Sequence, residues 1–331
     1  MPLCYLDAYL GKAPWTYTQH DFEAALADVG FAKLRQQSIG LPEPVAHQVR
    51  RVLGRTVRNL RRGRGSSVLC LMMGPAAARL IPDGVLNRCA LHCWDTWPDN
   101  FKVWDSIFTR FRTEVASFTS RNARDRFQTR FPLMHCYWMP DGASPELHRP
   151  DKPLISRRVD VLELGRRYGR YHDAIVSPLK QASRVHLFER VPGQIIFPDR
   201  RAMVEGLADT KIVISFPMSV TTPPRSSIET ITPRYFEAMA SGCLIVGRCP
   251  EDLRHLLGFN PVIEANLDSA AEQIKDILGR IREFQPLVDR NLGAIRQHTW
   301  RARALEMKAI LEAENGIEPE GTGEISAAGH Y

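Results

Sequence analysis

The feature that most constrains this chain is an alternation that runs, stops and starts again. Short apolar runs are interleaved with helical patterns from the N-terminus onward. "PLCYLDAYL" (2–10), "FAKLRQQSI" (31–39), "SSVLCLMMG" (66–74), "RCALHCW" (88–94), "EVASFTS" (114–120) and "PLMHCYWMP" (132–140) read as strands. Between them "TQHDFEAALADVG" (18–30) has helical period, with Thr18 as N-cap, Asp21 three residues on and Gly30 as the stop. Residues 43–62 form a second helical pattern that puts Val45, Val49, Val52, Thr56 and Leu60 on one face. "MPDGASPELHRPDKPLIS" (139–156) breaks the pattern with Pro, Asp and Gly and reads as a linker. The alternation then resumes. "RVDVLELG" (158–165), "TKIVISFP" (210–217) and "GCLIVG" (242–247) read as strands, 268–285 as an amphipathic helix, and 287–314 as helical over most of its length.

Strands alternating with helices imply mainly parallel sheets with helices on both faces. The expected class is α/β, with two Rossmann-like domains facing a cleft. The first covers 1–145, a linker 146–156, the second 157–315, and a flexible tail poor in large apolar residues 316–331. A length of 331 residues accommodates both. No apolar run reaches the roughly 18 residues of a membrane span, and the start lacks the basic and long apolar regions of a signal peptide. The seven cysteines are scattered without a zinc spacing and read as reduced thiols in a cytoplasmic protein.

Charge is unevenly distributed. Of a net +7, residues 50–64 contribute seven arginines and no acid. Arg51, Arg55, Arg58 and Arg62 recur three or four residues apart and form a stripe beside the apolar face. The stripe is either a solvated face, a peripheral contact with anionic lipid at the membrane inner face, or a nucleic-acid surface. No nucleic-acid reading motif accompanies it.

The chemistry concentrates in "ETITPRYFEAMASGCLIVG" (229–247). Thr232 suits an N-cap and Pro233 a first helical position. The amides of 232–235, Tyr235 included, would then face an anion at a helix start. Arg234 can add a charge-assisted bond to phosphate. Glu237, one turn in, is placed to chelate the vicinal hydroxyls of a ribose, and Glu229, in the preceding loop, reaches past the phosphates. Ribose, diphosphate, sugar is the order of a nucleotide sugar. In the first half, "HCWDTWPDN" ends a parallel strand where ligands gather. Asp95 at its tip either faces the cleft or caps the next turn. Trp94 and Trp97 either stack on a sugar or pack in the core, and His92 reads as a core histidine.

This line resembles the donor-site motif of GT-B glycosyltransferases, the retaining type with two glutamates flanking seven residues. "RYFEAMASGCLIVG" resembles that family's helix and following strand. "ALHCWDTWPDN", "FTSRNARDRFQ", "YWMPDGASPEL", "DVLELGRRYGR" and "QHTWRARALEM" fall in the order seen in small bacterial glycosyltransferases of the spore-maturation, CgeB-like kind. The resemblance covers roughly 66–314. It implies a hexosyltransferase-like enzyme that moves a sugar from a nucleotide sugar of UDP or GDP type to an acceptor hydroxyl, with retention. The expected setting is glycan, cell-envelope or secondary-metabolite synthesis. It also implies that Arg166 and Arg170, after Gly165, neutralise the departing diphosphate, and that Asp95 orients or deprotonates the acceptor. Two departures stand out: the glycine-rich stretch between the glutamates is here "TITPRYF", and Arg170 falls one residue short of the usual spacing. No D-x-D triplet occurs, so no metal is expected, nor any cofactor beyond the donor cosubstrate. A nucleic-acid-binding protein using the arginine block and a GT-B sugar-nucleotide epimerase are the competing readings.

Overall fold

The computed structural model describes residues 3–7, 17–35, 40–57, 67–148, 150–191, 193–222 and 228–316. The expected flexible tail beyond residue 316, and Arg58 and Arg62 of the basic stripe, lie outside the described residues. Among the described residues, six strands make the first sheet: β1 (Cys4–Leu6), β2 (Ala32–Leu34), β3 (Ser67–Met73), β4 (Arg88–Trp94), β5 (Val115–Phe118) and β6 (His135–Trp138), in the order β2-β1-β3-β4-β5-β6. Five make the second: β7 (Val159–Leu162), β8 (His186–Leu187), β9 (Thr210–Ser215), β10 (Leu244–Gly247) and β11 (Val262–Glu264), in the order β11-β10-β9-β7-β8. All pairings are parallel. The two sheets, each flanked by helices, are the expected α/β architecture. β8 and β11 are strands of two and three residues that no apolar run announces.

Helices of seven residues or more are α1 (Tyr17–Asp28), α2 (Glu43–Thr56), α3 (Phe101–Phe111), α4 (Arg121–Arg130), α5 (Gly169–Gln181), α6 (Arg200–Ala208), α7 (Pro233–Ala240), α8 (Glu251–Leu257), α9 (Ala270–Gly279), α10 (Gln285–Ile295) and α11 (Trp300–Glu314). Alternation along the central strands feeds a core on each face. From β3, Val68, Cys70 and Met72 enter one core while Leu69 and Leu71 enter the other. In β9, Val213 enters one core of the second sheet, and Ile212 and Ile214 enter the other.

Two local expectations are corrected and a third is refined. Thr18 lies inside α1, which begins at Tyr17, although Gly30 does end the helix with φ 97°. The 287–314 stretch is helical over most of its length, as expected, in two helices, because the Thr299 side chain accepts a bond from Ala302 N and starts α11 afresh. On α2 the buried side is Ala46, Arg50 and Gly54, whereas Val45 and Val52 are exposed. Small residues decide this: a Cβ on Gly54 would stand 2.9 Å from Ala78 N, so only a glycine lets α2 settle onto the turn at Ala77–Leu80. Arg51 and Arg55 are on the outward side, as the stripe required.

The chain crosses between the sheets twice, and the crossings are paired. Ala143 N donates to His298 O at 2.8 Å, and Trp300 N donates to Ala143 O at 3.0 Å. After the return, α11 packs on α1, placing Trp300, Ala304, Met307 and Leu311 in a core with Phe22 and Leu26. Gly142 makes the pairing possible. A Cβ there would sit 2.5 Å from Trp300 N and 2.7 Å from Thr299 C, both backbone atoms. Gly142→Ala must therefore push the crossings apart. We expect it to cost about 1–3 kcal/mol, seen as a lower midpoint in urea with no loss of helix content before the transition.

Candidate active site

In each sheet the strand order reverses beside the first strand, between β1 and β3 and between β7 and β9. Ligands of open parallel sheets gather in the crevice beyond the strand ends at such a point. In the second sheet two segments leave there: residues 163–168 after β7, and the stretch after β9 that leads into α7. Arg234, in the first turn of α7, ties them together. Its Nη1 donates to Leu164 O at 2.6 Å and to Arg166 O at 3.1 Å. Gly165 between those carbonyls has φ 74°, a conformation that favours glycine. Burial pulls the guanidinium's pKa down, and Glu237 is the first of the groups that oppose the shift. Arg234 thus spends its Nη1 donors on the loop.

The first turn of α7 offers fewer amides than its spacing implies. Thr232 occupies the N-cap position, but its hydroxyl is buried and makes no capping bond. Pro233 has no N–H, and the Tyr235 amide is bonded to Thr232 O at 3.0 Å. The Tyr235 side chain is buried in the fold, its hydroxyl donating to Arg248 O at 2.5 Å. Arg166 is exposed at the crevice. Arg170 is exposed on the first turn of α5, where it pairs with Asp268 at 2.9 Å.

Glu237 is buried between the two halves, not turned to solvent. With Tyr17, Asp21, Ser144, His148 and Arg200 it lines a narrow cavity of about 20 Å³, little more than one water molecule needs. The Tyr17 hydroxyl, Arg234 and Arg200 favour the charged form, yet burial prevails and holds its pKa above the ordinary range. Its Oε2 has no hydrogen-bond partner. Around it the halves are fastened: Arg200 of α6 grips both oxygens of Asp21 of α1. Ser144 Oγ donates to Asp21 Oδ2 at 2.8 Å.

Glu229 lies in a different pocket, with Asn122, Arg248, Glu251, Arg254 and Glu264. Its carboxylate accepts from Glu251 N at 2.9 Å and Ser219 Oγ at 3.2 Å. The seam is close by, where Arg121 N donates to Asp252 Oδ2 at 3.0 Å. The two glutamates of the motif therefore do not share a cavity.

At the tip of β4, Asp95 is exposed with φ 52° and accepts from Trp97 Nε1 at 3.0 Å. Trp94 and Trp97 are both buried in cores, so packing is their role. His92 is a core histidine as expected, 2.7 Å from Ser117 Oγ and driven down to about 3 by burial. Sequence reasoning missed four residues that the fold assembles here: Tyr17, Asp21, Arg200 and Asp141. Asp141 follows Met139 and Pro140 in what reads as a linker turn, which hid it. Its carboxylate accepts from Trp94 Nε1 at 2.8 Å, and burial, with Asp95 and Glu237 adding negative charge, lifts its pKa to about 7.

No family model matches the chain, and no curated protein matches it. Solved structures do. HepE from Anabaena, in a complex with UDP and glucose, is similar at a TM-score of 0.58 and 12% identity, over 95% of this chain and 100% of that one. AviGT4, a glycosyltransferase involved in avilamycin A biosynthesis, gives 0.58 and 14%, over 96% and 98%. The sucrose-phosphate synthase of Thermosynechococcus elongatus gives 0.61 and 12%, over 96% and 100%. The fold is GT-B.

Asp141 supplies a test of the seam's electrostatics. Its folded pKa of about 7 exceeds the unfolded value, so its favourable contribution is complete at acid pH and lost as pH rises through about 7. Asn at this position still accepts from Trp94 but never ionises. The melting temperature of Asp141→Asn relative to the parent should rise by a few degrees between pH 5 and pH 8. A difference that stays constant or falls contradicts the buried, protonated carboxyl.

Proposed function

We propose that the chain is a glycosyltransferase that moves a sugar from a nucleotide-sugar donor to an acceptor hydroxyl. One observation carries the reading: Glu237, buried at the seam beside the β7/β9 crevice, has an unpartnered oxygen. Ribose offers two adjacent O–H donors to a carboxylate of this kind. The GT-B fold supports the same reading, and so do HepE's complexes with UDP and UDP-glucose, which are facts about that protein.

In the proposed reaction the donor lies along the second sheet, ribose on Glu237 and diphosphate at the Gly165–Arg166 loop that Arg234 holds in place. The bond from the anomeric carbon to the diphosphate breaks and one to the acceptor oxygen forms. Negative charge grows on the leaving diphosphate, where Arg166, with Arg170 reached through a rearranged Asp268 pair, stabilises it. Asp95, from the first sheet, takes the acceptor side and accepts its proton. Glu229 contacts the sugar after the segment around it closes on the donor. The product keeps the anomeric configuration, and the arginines make a bridging metal unnecessary. Arg51 and Arg55, beside exposed Val45 and Val52, give a lipid-linked acceptor's membrane a peripheral contact.

No helix among the described residues is long and apolar enough to cross a membrane. The reading is tested by thermal shift and calorimetry across UDP-, GDP- and dTDP-sugars. One donor class should raise the melting temperature. Glu237→Ala removes acceptors for two charge-assisted bonds worth about 1.5–3 kcal/mol each, so affinity and turnover should fall roughly 100-fold or more. Because its carboxyl is held above the ordinary range, donor affinity should also strengthen as pH rises and the carboxylate forms. Undiminished turnover by a folded Glu237→Ala protein would remove the assignment.

A further inference from the structure

We propose that Glu163, His172 and His186 bind one divalent first-row cation, zinc foremost. The three come from separate elements that the second sheet fixes in place. Glu163 follows β7 directly and is held by its amide bond to Leu187 O at 2.9 Å. His186 on β8 is in register with Val161, so alternation puts Val161, Glu163 and His186 on one face. That face is covered by α5, whose Tyr171 and Ile175 pack with Val161, and His172 comes down from its first turn.

The side chains converge on one atom. His172 Nδ1 lies 2.6 Å and His186 Nε2 2.9 Å from the same Glu163 Oε1. All three ligand atoms lie within 4.8 Å of one another. The side chains are 3% exposed for Glu163, 13% for His172 and 6% for His186. A cation with bonds of about 2.0–2.2 Å needs only small outward shifts of the three groups to sit among them. Two imidazoles and a carboxylate are a zinc donor set that leaves a further position open. Phe188, 4.8 Å from the His172 ring and 4.7 Å from His186, gives the site an apolar wall.

Protons balance without loss. On ligation His172 moves its proton from Nδ1 to Nε2, and His186 from Nε2 to Nδ1. The Glu163 contact holds the proton on His186 Nε2, and His186 Nδ1, buried without a hydrogen-bond partner, is free to receive it once the cation takes Nε2. His172 is opposed: Arg167 Nη1 donates to its Nε2 at 3.1 Å, and that guanidinium must turn away, along the Phe188 ring it already covers. Arg167 is therefore a competitor of the cation, which supplies a diagnostic variant.

None of the three ligands is assigned to donor or acceptor, and the readout is metal content, so the proposal stands or falls apart from sugar transfer. The full chain, freed of any histidine tag and stripped with chelator, is given one equivalent of Zn²⁺ or Co²⁺ and desalted. We expect one retained equivalent, a higher melting temperature and visible Co²⁺ absorption of a low-coordinate site. His172→Ala and His186→Ala should lose the equivalent. Arg167→Gln, whose amide oxygen can accept from His172 Nε2–H, should bind tighter by about threefold or more, a gain of the size of one net hydrogen bond. No retained metal, or an equivalent kept by both alanine variants, overturns the proposal. Unchanged or weaker binding by Arg167→Gln overturns His172 as a ligand and the site with it. Should the alanine variants not fold, the Co²⁺ spectrum of the parent chain decides, and its absence overturns the site.

Discussion

The paired crossing at Ala143 and Thr299 is the constraint from which the rest follows. Two backbone bonds join the outbound and returning chain, and Gly142 admits the returning strand where no side chain fits. Pinned there, the two sheets present their strand ends to a common seam. The Arg200–Asp21 pair then falls across that seam, and Glu237 falls beneath Tyr17. Hinge and site are thus neighbours in space: Gly142, Ala143 and Trp300 line the same small cavity as Glu237.

That arrangement describes a closed seam. A cavity of about 20 Å³ has no room for a pentose, so any ligand of that size at Glu237 would need Tyr17 to move and Arg200 to part from Asp21. Arg234 stays in place, because its bonds run to carbonyls within the second sheet's own loops. The crevice can therefore keep its shape while the half opposite moves.

Much of this was legible in the sequence. β4 was delimited to the residue by its apolar run, and β3, β9 and β10 to within about two residues, because strands buried on both faces must be continuously apolar. Thr232, Pro233 and Glu237 fell at the start and first turns of a helix as their order required. What could not be read depended on contacts distant in sequence. Arg234 has the chemistry of an anion ligand, and only the fold shows its Nη1 bound to Leu164 O and Arg166 O. The face of α2 was misjudged because hydrophobicity favoured Val45 and Val52, while close approach favoured Ala46 and Gly54. Asp141 and Asp21 gain their surroundings from the crossing and from α6, neither of which leaves a local trace.

The return of α11 to the first sheet bears on how the chain is made. Phe22 and Leu26 face Trp300, Ala304, Met307 and Leu311, residues synthesised long after them. Until they emerge, an apolar flank of the earlier half stays bare while the later half is already complete up to α10. Vectorial synthesis, in which each unit matures before the next appears, is thus denied to this polypeptide. α1 waits on α11, and a nascent chain stalled short of residue 300 would offer that flank to chaperones.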